Sequence, residues 1–560
     1  MGGVVSKATS TVSKIASNPI GMALITGGIS GAFGHFGYQN FLAKSLLSRF
    51  PSLGAFTSSF IVGAGASLVV GAVGKKLMPK FDFPTESTSL QQGTTITGKS
   101  PIGSWRVIYG ETRVGGNMIF AETTSDNTYL HMVNVLAGHE ISDITNIYFN
   151  DDLLSLETLS NDSNGIPIYT PTSGDTYYGK ATIKKHFGDP DQLADADLVT
   201  ATSGATAVWS ANHKLSGRAY IYVKLEFDSD VYPNGVPNVS CVVKGKKCYD
   251  PRATSFNANT DVSVANDTIT LTTHGLSTFD RVKYDVNSGT AIGGLVDGTT
   301  YYVIKVDANT IKLATNYANC LAGTQINITS QPSSETQKFN FTTITSNPAL
   351  QIRDYLTDTP YGLKADLAEI NDTNIISVAN TCDETVTLAN PVGTENRFTS
   401  NGTFEVSQTP KTILENMLTT LGGFLIYSNG MFKIVPATYG TPTVTLSEQH
   451  FTGGMLVNTR LSKKELFNAV KGLYSEPSND YQPQDYPVLT NASYEAEDNS
   501  ERIYAEFDYA FTTSSRTCQR LSKIQLLKAR QQITFSSTFT LEAFKLDIGD
   551  TVYITNSRMG

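Results

Sequence analysis

Seven histidines are spread through 560 residues. One of them, His139, stands directly before Glu140. An imidazole beside a carboxylate can serve as an acid–base pair or as half of a metal site. No HExxH motif or second cluster completes either chemistry, so the pair reads as part of a turn. His186 is followed by Asp189-Pro190-Asp191, Asp195 and Asp197. A calcium loop needs a spacing closer to D-x-D-x-D-G with a distal Glu. That pattern is missing, and these acids read as a solvated loop, as Asp151-Asp152 reads as a turn. Ser216-Gly217 and Ser462 lack a G-x-S-x-G setting, and no phosphate-binding glycine loop links a strand to a helix. Lys244, Lys246 and Lys247 form a short basic patch of the kind that usually makes a solvated or partner-facing edge. Cys241, Cys248, Cys320, Cys382 and Cys518 contain no CxxC pair and read as reduced core thiols, in keeping with cytosolic assembly. A Cys241–Cys248 bridge across their turn is the minor alternative. No catalytic, cofactor-binding or metal-ligating residue is assigned, no cofactor is expected, and the chain is not expected to be an enzyme.

The elements that would position such residues are organised around Val242–Arg252 and Ser346–Leu356. Cys241, Val242 and Val243 read as the end of a buried strand. Gly245 breaks it, and Asp250-Pro251-Arg252 ends it, because proline cannot donate to a sheet ladder. After Asn347-Pro348, the residues Leu350, Ile352, Tyr355 and Leu356 shift toward helical spacing, with Pro348 suited to a first turn. Two strand-rich bodies are hinged here, and the residues between them look inserted. The length implies about three to five domains. A net charge of −9 gives no basic face for nucleic acid. The 26 Tyr and 27 Phe, with abundant Thr, Ser and Gly, favour β structure with many turns.

In chain order, residues 1–80 form an apolar helical N-terminal segment. Ile20–Ala43 carries no charge beyond His35, and Phe50–Gly74 carries none. Ala55–Gly74 as a helix would span ~30 Å. Small residues at Gly27/Gly31 and Gly63/Ser67/Gly71 suit close helix packing. The two runs read as a helical hairpin with Pro51 in its turn, buried in a large assembly, with membrane contact as the alternative. Residues 81–255 form the first β-rich hub domain. Trp105–Gly110 and Gly115–Phe120 are expected to pair as a hairpin, Tyr129–Ala137 and Ile144–Phe149 as a second pair, and Arg218–Phe227 to alternate as a strand. The polar stretch 158–180 reads as a surface loop. Residues 256–345 read as an inserted β module of short strands with glycine turns. Residues 346–500 form a second α+β hub domain, with a capped helix from Thr409-Pro410 and a tight hairpin, Phe424–Tyr427 with Met431–Val435. Residues 501–560 complete the hub with a helix, Ser514–Gln531, whose stripe is Cys518, Leu521, Ile524 and Leu527, and a long alternating strand, Thr534–Phe544.

The segments VVKGKKCYDPR (242–252), SNPALQIRDYLTDTPYGL (346–363), ANTCDETV (379–386) and ENRFTSNG (395–402) carry a resemblance. So do Pro410–Leu418, Gly430–Ile434, Glu465–Val470 and Leu546–Val552. In order and spacing they resemble the central hub region of the lambda-type phage tail tip attachment proteins, over roughly residues 100–255 and 345–560. The resemblance implies a mainly β, multi-domain fold with some α and barrel-like hub domains. It implies a structural virion protein at the tail tip, assembled in the host cytoplasm. Three copies would form a ring that closes the tail tube, adapts sixfold to threefold symmetry, and takes part in host attachment and DNA delivery. The partners implied are the other two copies, distal tail and tail tube proteins, the tape measure protein and tail fibres, with no sequence-specific nucleic acid. Residues 20–74 would supply any contact with the host membrane, a reading that comes from their composition alone. The family pattern would continue past Gly560, which fits either a short hub with a separate fibre chain or a truncated chain. Two other classes stay open: a receptor-binding tail fibre protein and a tail-associated cell-wall hydrolase.

Overall fold

The computed structural model describes residues 97–98 and 103–557, apart from interruptions at 125–126, 204–207, 253, 288, 334, 390, 443, 461 and 463–465. The apolar segment 1–80 lies outside the described residues. The fold is mainly β and multi-domain, with 36% strand against 18% helix. Among the described residues its sheets are open rather than closed into barrels.

The first body is a sandwich. The chain enters through β1 (Arg106–Tyr109), which pairs outside the sandwich; the sandwich strands are β2 (Glu111–Val114), β3 (Asn117–Thr123), β4 (Tyr129–Ala137), β5 (Asp143–Phe149), β6 (Asp152–Leu153), β7 (Leu156–Asn161), β8 (Pro167–Pro171), β9 (Ala181–His186), β10 (Ala219–Glu226) and β11 (Val239–Lys244). One sheet runs β3-β4-β10-β9-β8-β7 and the other β2-β11-β5-β6. Met132, Leu136, Ile183, Ile221 and Val223 of the first meet Ile144, Ile147, Phe149, Cys241 and Val243 of the second in one core. The outer face of β4 and β10 is also covered. Val133, Tyr220 and Tyr222 pack with Leu198 of the short helix α1 (Ala196–Ala201) and with Trp209. Strand β10 is therefore buried on both faces, although its sequence alternates.

Three local expectations fail here. Residues 105–110 and 115–120 do not pair with each other. Gly110 has φ +65, and a Cβ there would meet the Asn401 side-chain oxygen at 2.2 Å. The chain turns at that glycine, so β1 and β2 diverge into different sheets. Strands β4 and β5 both form, but one lies in each sheet. The polar stretch 158–180 contains most of the β7–β8 hairpin, with Glu157 opposite Thr170. It is polar because β7 is an edge strand exposed along most of its length.

The second sheet system combines β12 (Lys247–Tyr249), β13 (Thr254–Asn257), β14 (Val262–Ser263), β15 (Thr268–Thr270), β16 (Arg281–Asp285), β17 (Thr300–Lys305), β18 (Thr310–Ala314) and β19 (Thr336–Ile344). It encloses its own core of Ile269, Val282, Tyr284, Val303, Ile311 and Phe339. The entering and leaving chains pair directly, Lys247 with Ile344 and Thr254 with Phe339.

The third body surrounds the largest core. Helix α3 (Pro348–Thr357) follows α2 (Tyr317–Leu321), and Asn347 caps α3 ahead of Pro348. Then come α4 (Asp372–Asp383), the hairpin β20 (Thr385–Ala389) and β21 (Val392–Asn396), β22 (Gly402–Glu405), and α5 (Pro410–Thr419) capped by Thr409. The expected hairpin is β23 (Phe424–Ser428) with β24 (Met431–Val435), closed by Asn429 and Gly430 at positive φ. Farther on are β25 (Val444–Leu446), β26 (Leu456–Asn458), α6 (Ala492–Glu497) and α7 (Ser515–Arg530). Strand β1 completes this body by pairing with β22, Tyr109 opposite Gly402. Val107, Tyr109, Ile352, Leu356, Ile375, Ile413, Met417, Cys518 and Leu521 share the core.

Helix α7 forms where expected, but its buried face is not the stripe at spacing three. Thr517, Cys518, Leu521, Ser522 and Leu526 are buried, whereas Leu527 is 41% exposed. A step of three falls about 60° short of a full turn, so three steps from Cys518 carry Leu527 to the opposite face. The long strand expected over 534–544 is also absent. Thr534–Ser536 pairs with β26, Phe539 makes a single bridge to Phe451, and Leu541–Lys545 forms a 3₁₀ turn with Leu541 and Phe544 outward. Alternation needs a partner strand to become a sheet, and β26 offers three residues.

Leu521→Asp is expected to lose more than about 3 kcal/mol by burying an unpaired charge, while Leu527→Asp stays within about 0.5 kcal/mol. Urea unfolding of the two variants checks the face assignment.

Candidate functional site

The three bodies meet at the residues between β11 and α3. Gly245 crosses β1 so closely that a Cβ would lie 2.2 Å from the Ile108 carbonyl oxygen. Backbone bonds fix the crossing: Gly245 N–H donates to Gly110 at 2.8 Å and Lys246 N–H to Ile108 at 2.7 Å. The next two side chains then leave in opposite directions, as successive strand residues do. Lys246 Nζ reaches Asp354 at 2.6 Å and Asp358 at 2.8 Å, at the C-terminal end of α3. The Tyr109 hydroxyl donates to the same Asp354 at 2.5 Å. Lys247 Nζ reaches Glu140 of the sandwich at 2.8 Å and Asp280 of the second sheet system at 2.6 Å. Arg281 also pairs with Glu140. Arg252 joins Asp250 at 2.7 Å to Asp383 of α4 at 2.8 Å.

The lysines are therefore not a solvated patch. Lys246 and Lys247 are 14% and 13% exposed. Burial works to lower both ammonium groups, but the facing carboxylates outweigh it and raise them. Sequence reasoning saw the positive charges but had no signal for their partners, of which Asp354 and Glu140 lie 108 and 107 residues away. His139 is structural as expected. Its Nε2 accepts from the Ile108 N–H at 3.0 Å, and its Nδ1 bonds the Glu140 carbonyl at 2.7 Å. Burial pushes its pKa down to about 4, so the ring is neutral near pH 7.

The acidic cluster after His186 is not a solvated loop either. Asp195 is fully buried and caps α1 through the Leu198 N–H at 2.9 Å. It faces Lys184 at 2.7 Å and His186 at 2.9 Å. Asp197 reaches Lys184 from the rim at 3.1 Å. Asp191 accepts from the Tyr302 hydroxyl at 2.8 Å and so helps seat the second sheet system on the sandwich. A buried Lys on β9 opposite these acids was the missed partner. Asp151 pairs with Arg113 at 3.1 Å. Ser216 and Ser462 are exposed. All five cysteines are buried and unbridged, and burial pushes Cys241 up to about 12, far from a reactive thiolate. No group of three or more His, Cys, Asp or Glu able to hold a metal occurs among the described residues. Among them, too, no helix is long and apolar enough to cross a membrane.

Several large apolar side chains are exposed in residues 444–458 and 533–554. Strand β25 pairs in parallel with Val552–Ile554, and β26 pairs with Thr534–Ser536. Around these short ladders Leu456, Ile533, Leu541, Phe544 and Tyr553 are 48%, 70%, 79%, 77% and 55% exposed. In residues 444–458 and 533–554 only Leu446 and Ala543 are buried apolar side chains. These segments therefore bury little apolar surface of their own.

Lys246→Met leaves Asp354 and Asp358 without their counter-charge and is expected to cost about 3–5 kcal/mol, read from urea midpoints. The fold keeps His139 neutral, whereas an unfolded histidine titrates near 6.5. Its contribution is thus full above about pH 6.5 and is lost as pH falls toward 4, by up to about 3 kcal/mol. His139→Gln should show a shallower loss of stability between pH 7 and pH 5.

No curated protein matches the chain. Two solved structures are similar at low identity. A chain of the virion of a native gene transfer agent particle is 14% identical, with a TM-score of 0.47, covering 82% of this chain and 80% of that one. The 43 kDa tail protein of prophage MuSo2 from Shewanella oneidensis is 10% identical, with a TM-score of 0.21, covering 57% and 87%. Residues 409–560, which carry α5, α7 and the exposed apolar face, match the family described as putative phage tail protein, Phage-tail_3.

Proposed function

We propose that this chain is a structural component of a phage tail and, more specifically, the central hub of its tip. The observation that carries the reading is the match of residues 409–560 to a phage tail family. The order of the hub-like motifs over residues 100–255 and 345–560 adds the finer position. The exposed apolar face falls inside the matched residues, which suits a protein that works by assembly. In this reading three copies close into a ring beneath the tail tube through heterologous contacts, one protomer face meeting a different face of its neighbour. The ring adapts sixfold to threefold symmetry, contacts tube, tape measure and fibre proteins, and takes part in attachment and DNA delivery. The ionic junction gives such a hub a rigid centre, since it joins all three bodies within one protomer.

Mass photometry of purified tips, or cryo-EM of virions, is expected to find three copies in threefold order. Six copies, or a single copy in assembled tails, would sink the hub reading. Residues 20–74 are proposed to meet the host membrane once the tip opens. Full-length protein should float with liposomes, and a variant lacking residues 1–78 should not.

A further inference from the structure

The chemistry beneath α1, on the covered outer face of the sandwich, goes beyond assembly. Three side chains with no access to water converge beside α1: Lys184 of β9, Asp162 of the turn after β7, and Asp195. Their side-chain exposures are 1%, 0% and 0%. Lys184 Nζ lies 2.9 Å from Asp162 Oδ2 and 2.7 Å from Asp195 Oδ1. The other Asp162 oxygen, Oδ1, accepts two backbone N–H groups, from Asn164 and Ile166, each at 2.9 Å. Asp195 Oδ2 is held by His186 Nε2 at 2.9 Å. His186 stacks on Tyr220 with ring centroids 4.1 Å apart, and Lys184 lies over Tyr222, 5.4 Å from its centroid. An amine, a carboxyl group with one oxygen polarised by paired amides, and a second carboxylate held by an imidazole are the parts of an acyl-transfer site.

We propose that Lys184 and Asp162 become joined by an intramolecular isopeptide bond, with Asp195 as the proton carrier. Asp195 takes a proton from the ammonium and passes it to Asp162 Oδ2, and the freed lone pair of Nζ attacks Cγ of the now neutral acid. The negative charge that develops on Oδ1 falls on the Asn164 and Ile166 amides. Asp195 then takes a second proton from the attacking nitrogen and gives it to Oδ2, the Cγ–Oδ2 bond breaks, and that oxygen leaves as water with two of the three ammonium protons. The third remains on the new amide, so atoms and charge balance and no external reagent is needed. Proximity supplies the rate, because the reacting groups are held in contact. Burial supplies the direction, because a desolvated ammonium and carboxylate are costly to keep and an amide carries neither charge. The bond would cross-link the β7–β8 turn to β9 over a 22-residue separation.

Mass spectrometry of the full-length chain under denaturing conditions tests this. The wild-type mass should be lower by one water than its composition requires. Trypsin should yield a branched peptide joining the segments around Asp162 and Lys184, uncut after Lys184. Asp195→Asn, which keeps a good helix cap, should fold and retain the full mass. Asp162→Asn should form the same linkage with loss of ammonia, giving a cross-linked mass equal to that of wild type. A wild-type chain that is cut after Lys184, with its amine free to be acetylated after unfolding, would overturn the proposal and leave a buried ion pair. A complete cross-link in Asp195→Asn would remove Asp195 from the reaction.

Discussion

Two adjacent lysines, placed where one chain crosses another too closely for any side chain but glycine's hydrogen, hold this molecule together. Lys246 serves α3 and Lys247 serves the sandwich and the second sheet system. Buried ion pairs add little stability compared with apolar packing, but removing one partner is expensive. Their value at this junction is specificity: each ammonium has two carboxylates at fixed positions, so the bodies have one arrangement in which all charges are satisfied. The same logic explains Arg252, which ties the end of β12 to α4.

That junction was legible in the sequence as a boundary but not as an interaction. Gly245 and Pro251 announced the breaks, and Asn347-Pro348 and Thr409-Pro410 announced two helix starts, because capping and proline geometry act over a few residues. Asn429-Gly430 announced its hairpin for the same reason. Contacts decided by distant chain were hidden. Arg106–Tyr109 looks ready to pair with the next strand, yet its partner is Gly402–Glu405. Lys184 looks like the polar residue of an ordinary strand, and only the fold brings Asp162 and Asp195 onto it. The acids of 189–197 were read as solvated because charge usually is, and burial of Asp195 depends on an opposite charge that local spacing does not reveal.

The surface divides in the same way. Sandwich and second sheet system enclose their own cores. The region of β25, β26 and the final strand has short ladders and outward Leu541 and Phe544. A three-residue parallel pair is an uncommon stopping point for a sheet, since parallel strands normally lie within larger, covered sheets.

The pairing of β1 with β22 places a clock on the nascent chain. Val107 and Thr403, which bond across that pair, are 296 residues apart. At ribosomal rates of roughly 5–20 residues per second, the first strand waits on the order of 15–60 s before its partner exists. During that interval the second sheet system, whose core is self-contained, can close behind it, while Val107 and Tyr109 stay without the helices that bury them. The order of folding therefore departs from the order of the chain: the middle settles first, and β1 is completed only when β22 has been made.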